Sequence, residues 1–118
     1  MYNATGPLER TSIADLLEEC KSVTGSNAEF TWVDAAFLQR HEVSLPVWVP
    51  PDPQYGHMNE VSVARAVRAG LTFRPLADTI KDTLAWWRGL GKNRVLRGLA
   101  AKREAEVLAA WHARDRRS

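Results

Sequence analysis

The sequence has little of what marks secreted, membrane-spanning or metal-binding proteins. A single cysteine, Cys20, excludes an internal disulfide. No apolar run approaches the roughly 18 residues that a membrane-spanning helix needs, so no such helix is expected. The three histidines and the cysteine never have metal-ligand spacing, which predicts no metal site. Because Met1 leads into neither a charged nor a long apolar segment, we expect no secretory leader and a cytoplasmic protein.

Glycine-rich turns of the kind that hold dinucleotides are also missing. Neither GxGxxG nor GxxGxxG occurs, and such glycines are what lets backbone N–H groups approach a pyrophosphate. The two tyrosines, Tyr2 and Tyr55, are followed four positions later by Gly6 and Asn59, so the chain has no Tyr-x-x-x-Lys pair for proton transfer. The sequence therefore predicts no catalytic and no cofactor-binding residues in this chain.

The composition is that of a folded chain with an uneven charge. It is 45% hydrophobic and 25% charged, which lies far from the disordered class. Residues 1–87 carry seven basic and eleven acidic side chains, whereas residues 88–118 carry nine and three, so the formal charges are −4 and +6. A solvated basic helix explains such an asymmetry more often than a nucleic-acid or membrane contact does.

Apolar residues at helical spacing, bounded by capping residues, predict four to five helices. The first begins after Thr11 or Ser12 as N-cap and ends at Gly25, which can adopt the left-handed conformation. Val107 and Trp111 lie on the apolar face of the last helix. The remaining helices are predicted after Asp34, up to Gly70, from Pro75 to Gly89, and over residues 99–114.

Short segments between these helices predict a few strands. They are residues 1–5, 28–33 and 71–75, and the proline-rich residues 44–58 are expected to be extended and then a loop. Such strands are too few and too brief for a self-sufficient sheet. The predicted fold class is α+β in a single domain, with a body over residues 1–98 and a basic helix over residues 99–118. We expect this domain to pack against another domain or chain.

Two blocks of the sequence resemble a known family. YNATGP followed by TSIADLLEEC, and later ARAVRAGLTFRPLADTIKDTLAWW, resemble recurring signatures of the C-terminal part of extended short-chain dehydrogenases/reductases, the NAD-dependent epimerase/dehydratase group. Residues 29–49 and the terminal GLAAKREAEVLAAWHA are similar to a bacterial subset of epimerases or reductases. The resemblance covers nearly the whole chain. It implies the substrate-binding lobe without its Rossmann domain, and NAD(P) would bind to that missing domain.

The same resemblance suggests residues that face a substrate. Members of the family often place an arginine that clamps nucleotide-sugar phosphates in the loop before Ala-Gly-Leu, but PPDPQYGHMNEVS contains none, which predicts a less anionic substrate. The candidate substrate-binding residues are Trp48, His57, Arg65 and Arg74. Each also has an ordinary structural interpretation: core or interface packing for the tryptophan, a solvated loop for the histidine, and surface ion pairs for the arginines.

The predicted function is substrate binding within an NAD(P)-dependent epimerase/dehydratase or reductase, with no catalysis by this chain alone. Its expected partner is a Rossmann-domain chain, or a second copy met through exposed apolar faces. Membrane and nucleic-acid contacts are not expected. Two alternatives stay open: a small protein- or nucleic-acid-interaction module that uses the basic C-terminal helix, and a truncated remnant.

Overall fold

The computed structural model describes residues 1–6, 9–46, 48–49, 60–93, 95 and 97–115. Within them lie five α-helices and one 3-10 turn: α1 (Ile13–Thr24), α2 (Ala35–Arg40), α3 (Ala64–Arg68), α4 (Leu76–Gly89), the turn Gly91–Asn93, and α5 (Ala101–Asp115). The described residues form two compact units. Unit 1 is drawn from Met1–Ala28 and His57–Arg94 and holds α1, α3 and α4; unit 2 is drawn from Glu29–Gly56 and Val95–Ser118 and holds α2 and α5.

The predicted α+β class is wrong, because no residue in the part of the chain that the structure describes belongs to a strand. Residues 1–5 precede α1, and residues 28–33 and 71–75 connect helices. An alternating sequence favours an extended backbone, but a strand exists only where a second strand accepts and donates its backbone hydrogen bonds. The first segment is held by a side chain rather than a ladder: the Asn3 amide donates to the Ser62 carbonyl at 3.3 Å.

The helix starts that the sequence predicts from capping residues are confirmed for α1 and α2. Ser12, not Thr11, is the N-cap of α1, and its hydroxyl accepts from the Asp15 amide at 3.1 Å. Asp34 caps α2, and its carboxylate accepts from the Phe37 amide at 2.6 Å. Both bonds satisfy amides that have no partner inside the helix, and both form between residues three apart, so they are readable from the sequence.

Three helices of the described chain end in the same way. After α1, α2 and α3 the backbone turns left-handed at Gly25, Glu42 and Gly70, with φ of 64°, 53° and 100°. At α2 the Val43 amide bonds to the Leu38 carbonyl at 2.9 Å, and equivalent bonds close α1 and α3. This is the Schellman arrangement, which satisfies the last helical carbonyls. The predicted stops at Gly25 and Gly70 are confirmed, whereas α2 reaches the same turn with a glutamate.

Unit 2 has the larger buried cluster. Phe37, Leu38 and Val43 from the α2 region pack with Val107 from α5, and all four are buried. Half-buried apolar residues surround this cluster, and they are Val33, Leu45, Trp48, Leu99, Ala110 and Trp111. The Phe37 ring meets the Trp111 indole edge-on, with 5.0 Å between the ring centroids. The predicted apolar face of the last helix is therefore confirmed.

Two arginines of α5 hold the two ends of α2. Arg103 donates to the His41 carbonyl at 2.7 Å, at the C-terminal end of α2. Arg114 donates to the Asp34 carboxylate at 2.9 Å, at the N-terminal end. Because the first arginine lies early in α5 and the second late, the two helices run antiparallel. Arg114 also stacks on Trp111, with 3.6 Å from the guanidinium carbon to the ring centroid.

Unit 1 is packed less completely. Helix α1 packs against α4, yet neither helix contains a buried residue. The apolar side chains at helical spacing are only half-buried, and they are Leu16, Leu17, Cys20 and Val23 on α1 and Leu76, Ile80, Leu84 and Trp87 on α4. Trp86 is 63% exposed. The buried hydrophobic residues described in this unit are Val63 and Ala66, at and in α3.

Candidate ligand-binding cleft

An open cleft of about 900 Å³ lies in unit 1, where the N-terminal segment and the start of α1 meet the segment that leads into α3. It is lined by residues 5–6, 9–12, 15 and 60–64. Its volume is within the range of small-molecule sites, which are commonly about 300–1,000 Å³. The cleft is therefore large enough for a ligand of metabolite size.

Three contacts join the two walls of the cleft across long separations in the sequence. Asn3 bonds to the carbonyl of Ser62, as described above. The Arg10 guanidinium lies 3.3 Å from the Glu60 carboxylate. Outside the lining, the Arg65 guanidinium carbon lies 5.2 Å from the centroid of the Tyr2 ring. These contacts place Tyr2, Asn3 and Arg10 against residues 60–65 and so create the cleft.

The reciprocal cap of α1 forms part of one wall. The Asp15 carboxylate accepts from the Ser12 amide at 2.8 Å and from the Ser12 hydroxyl at 2.6 Å. These two hydrogen bonds, the hydroxyl first and the amide second, lower the pKa of Asp15. The carboxylate therefore stays ionised at neutral pH, at the helix end whose dipole favours a negative charge.

The lining combines carboxylates, hydroxyls and apolar side chains. Glu9, Asp15 and Glu60 supply three negative charges, and Arg10 is the single basic residue among the described lining residues. Val63 contributes a buried apolar surface. Hydroxyl groups come from Thr5, Thr11, Ser12 and Ser62. Such a lining can exchange many hydrogen bonds with a polar ligand, because hydroxyls both donate and accept and carboxylates accept.

The three described residues that the sequence singled out lie outside the lining of the cleft. Trp48 packs at the edge of the buried cluster of unit 2. Arg65 stacks on Tyr2 beside the cleft but does not line it. Arg74 donates to Asp82 of α4 at 2.6 Å. His57 lies outside the described residues, and its predicted role stays a prediction.

The cleft itself was missed by sequence reasoning. Ser12 was named, but only as a candidate N-cap. The contacts that complete the site join residues 50 to 59 positions apart, Arg10 with Glu60 and Asn3 with Ser62. No local pattern reports such a pairing. The one available signal was the density of hydroxyl and carboxyl side chains over residues 9–15, which is also what a helix start requires.

The described part of the chain shows no group of three or more His, Cys, Asp or Glu side chains arranged to hold a metal ion. Among the same residues, no helix is long and apolar enough to cross a membrane. The described lining of the cleft contains no Tyr, Lys, His or Cys side chain. What the cleft offers is hydrogen bonding and charge, which suit ligand binding.

Comparison with known proteins gives no relative from which to transfer a role. No protein-family model matches the chain, and neither a curated protein nor a solved structure matches it.

Proposed function

We propose that this chain is a substrate-binding component that acts together with a separate dinucleotide-binding protein and performs no redox step alone. The observation that carries the proposal is the α1–α4 pair. Both helices have an apolar stripe at the spacing of a core-facing helix, yet neither buries a residue completely. Large apolar surface left half-covered is typical of a face that meets another protein.

The cleft supports the substrate-binding part of the proposal. It belongs to the same unit as the α1–α4 pair and starts at the N-terminal end of α1. Its lining can bind and orient a small polar molecule, and its described side chains include no Tyr-Lys pair of the kind that the family uses for proton transfer. Chemistry on a bound substrate would then be supplied by the partner.

The sequence resemblance supports the choice of partner. The blocks YNATGP and ARAVRAGLTFRP resemble parts of the substrate lobe of extended short-chain dehydrogenases/reductases, in which a Rossmann domain binds NAD(P). The chain has no glycine-rich dinucleotide turn of its own. A Rossmann-domain chain is therefore the partner that would complete the site, and a second copy of this chain would not.

We do not extend the proposal to nucleic acid. Residues 101–115 carry three basic and three acidic side chains, so α5 has no net formal charge. Two of its arginines are engaged within unit 2, Arg103 with the His41 carbonyl and Arg114 with Asp34 and Trp111. A phosphate-binding stripe would instead present arginines that no carboxylate neutralises.

The direct test is titration calorimetry of the purified chain with NADH and with NADPH, using a complete extended dehydrogenase/reductase as the positive control. We expect no heat of binding for the chain and a clear isotherm for the control. Binding in the micromolar range would contradict the proposal. Sedimentation analysis over a range of concentrations tests the identity of the partner, because a stable homodimer would show that the α1–α4 face is covered by a second copy.

A further inference from the structure

Phosphate groups are usually held in one of two ways, and the cleft offers neither. One is a cation that no other group neutralises, and the other is a set of free backbone amides at a helix N-terminus. In the cleft, Arg10 is the basic residue, and it is already paired with Glu60 at 3.3 Å. A phosphate would have to share that guanidinium with the Glu60 carboxylate and would also face Glu9.

The helix end in the cleft is likewise occupied. The carboxylate of Asp15 accepts from the Ser12 amide and hydroxyl, and the Ser12 hydroxyl accepts from the Asp15 amide. The positive end of the α1 dipole thus already has a bound carboxylate within the first turn. A second anion at this position would be repelled by the first.

The features that remain free for a ligand are of a different kind. The cleft of about 900 Å³ presents the hydroxyls of Thr5 and Thr11 together with the apolar side chains of Val61 and Val63. The Ser62 hydroxyl accepts from the Ala64 amide at 3.4 Å and can still donate to a ligand. Hydroxyls that can donate or accept suit the hydroxyls of a polyol, and an apolar wall suits the C–H faces of such a molecule.

We propose, on the basis of the function proposed above, that the cleft binds uncharged polyhydroxylated molecules and discriminates against their phosphorylated forms. The cavity supplies hydroxyls and an apolar wall for such a molecule. Its basic side chain, Arg10, is paired with Glu60, and the first turn of α1 is capped by Asp15. It assigns the substrate class of the cleft and is independent of which chain supplies the dinucleotide.

The test is amide NMR of the full chain, titrated with galactose against galactose 1-phosphate and with glycerol against glycerol 3-phosphate. We expect the uncharged member of at least one pair to shift the amide signals of Thr5 and of residues 60–62. Its affinity should exceed that of the phosphorylated member by about fivefold, since one exposed charge contact contributes up to a factor of that size. The proposal is overturned if the phosphorylated member binds equally or more tightly, or if neither member of either pair shifts these signals.

A charge-neutralising variant tests the physical reason. Glu60→Gln removes the carboxylate that engages Arg10. The ratio of the affinity for the uncharged ligand to that for the phosphorylated ligand should therefore fall severalfold. Glu18→Gln removes the same charge from an exposed position of α1 outside the lining and should leave the preference unchanged. Equal effects of the two variants would overturn the assignment of selectivity to the Arg10–Glu60 pair. These readouts do not involve NAD(P), so their failure is distinguishable from a failure of the dinucleotide titration.

Discussion

Replacing Phe37 by alanine should remove a large part of the stability of unit 2. The Phe37 side chain is 5% exposed and belongs to a cluster with three other buried residues of the described chain. Truncation of a buried phenylalanine costs about 3–5 kcal/mol, and the edge-on contact with Trp111 is included in that range. Because a small cluster can collapse around the gap, we expect a loss of about 3 kcal/mol.

The assay is urea denaturation followed by far-UV circular dichroism, which reports all five helices. A loss of about 3 kcal/mol is a large fraction of the 5–15 kcal/mol that typical domains have, so the unfolding midpoint should fall markedly. Trp32→Ala is the matched control, because Trp32 is also an aromatic residue of unit 2 but is 60% exposed. A loss below about 1 kcal/mol for Phe37→Ala, or equal losses for both variants, would refute the assignment of this cluster as the core.

Local backbone and capping features yield three further predictions. Ser12→Ala should lower the free energy of unfolding by about 1 kcal/mol in thermal melts, because the Asp15 amide loses its hydrogen bond to the Ser12 hydroxyl. An unchanged melt would show that Thr11 can replace Ser12 as the N-cap. Glu42→Gly should raise stability by about 0.5–1 kcal/mol, because a glutamate occupies the left-handed turn after α2, whereas Gly25→Ala should lower it by about 1 kcal/mol at the equivalent turn. The hydrogen bond from the Phe37 amide, and then Arg114, lower the pKa of Asp34 below its unfolded value of about 3.9. The ionised Asp34 therefore contributes its full share of the folding stability above that pH, and this share is lost as the pH falls through the lower folded pKa. In thermal melts recorded from neutral to acid pH, Asp34→Asn should lose less stability as the pH falls than the unchanged protein does. An equal loss in both would mean that other carboxylates cause the acid sensitivity.

The helices were predictable because their signals are local. Ser12, Asp34, Gly25 and Gly70 act on backbone groups within a few residues of themselves, so their roles follow from sequence order alone. The predicted strands were wrong, because residues 28–33 alternate as a strand does but no neighbouring strand is present among the described residues to pair with them.

The candidate site was not predictable for a related reason. Arg10 and Glu60 become neighbours only when α1 and the segment before α3 are folded together. Arg74 was a candidate in a block that resembles a substrate lobe. Its guanidinium donates to Asp82 on α4, the helix that follows it. Trp48, a candidate substrate-binding residue, packs against the cluster that contains Phe37. Burial of an aromatic side chain outweighs such local context.

Incomplete packing in unit 1 is visible at one residue of α4. The apolar stripe of α4 includes Trp87, which as a core residue would be buried, but it is only half-buried beside the exposed Trp86. A stripe at helical spacing predicts which face of a helix is apolar; it does not say whether the same chain covers that face.

Hydrogen–deuterium exchange of the chain alone, read by mass spectrometry at the level of single helices, tests the central claim most directly. If α1 and α4 are built to be covered by a partner, their amides should exchange markedly faster than those of α5, whose Val107 is buried against the α2 region. Protection of α1 and α4 equal to or greater than that of α5 would mean that unit 1 is complete in itself, and the claim that it needs a partner would be contradicted.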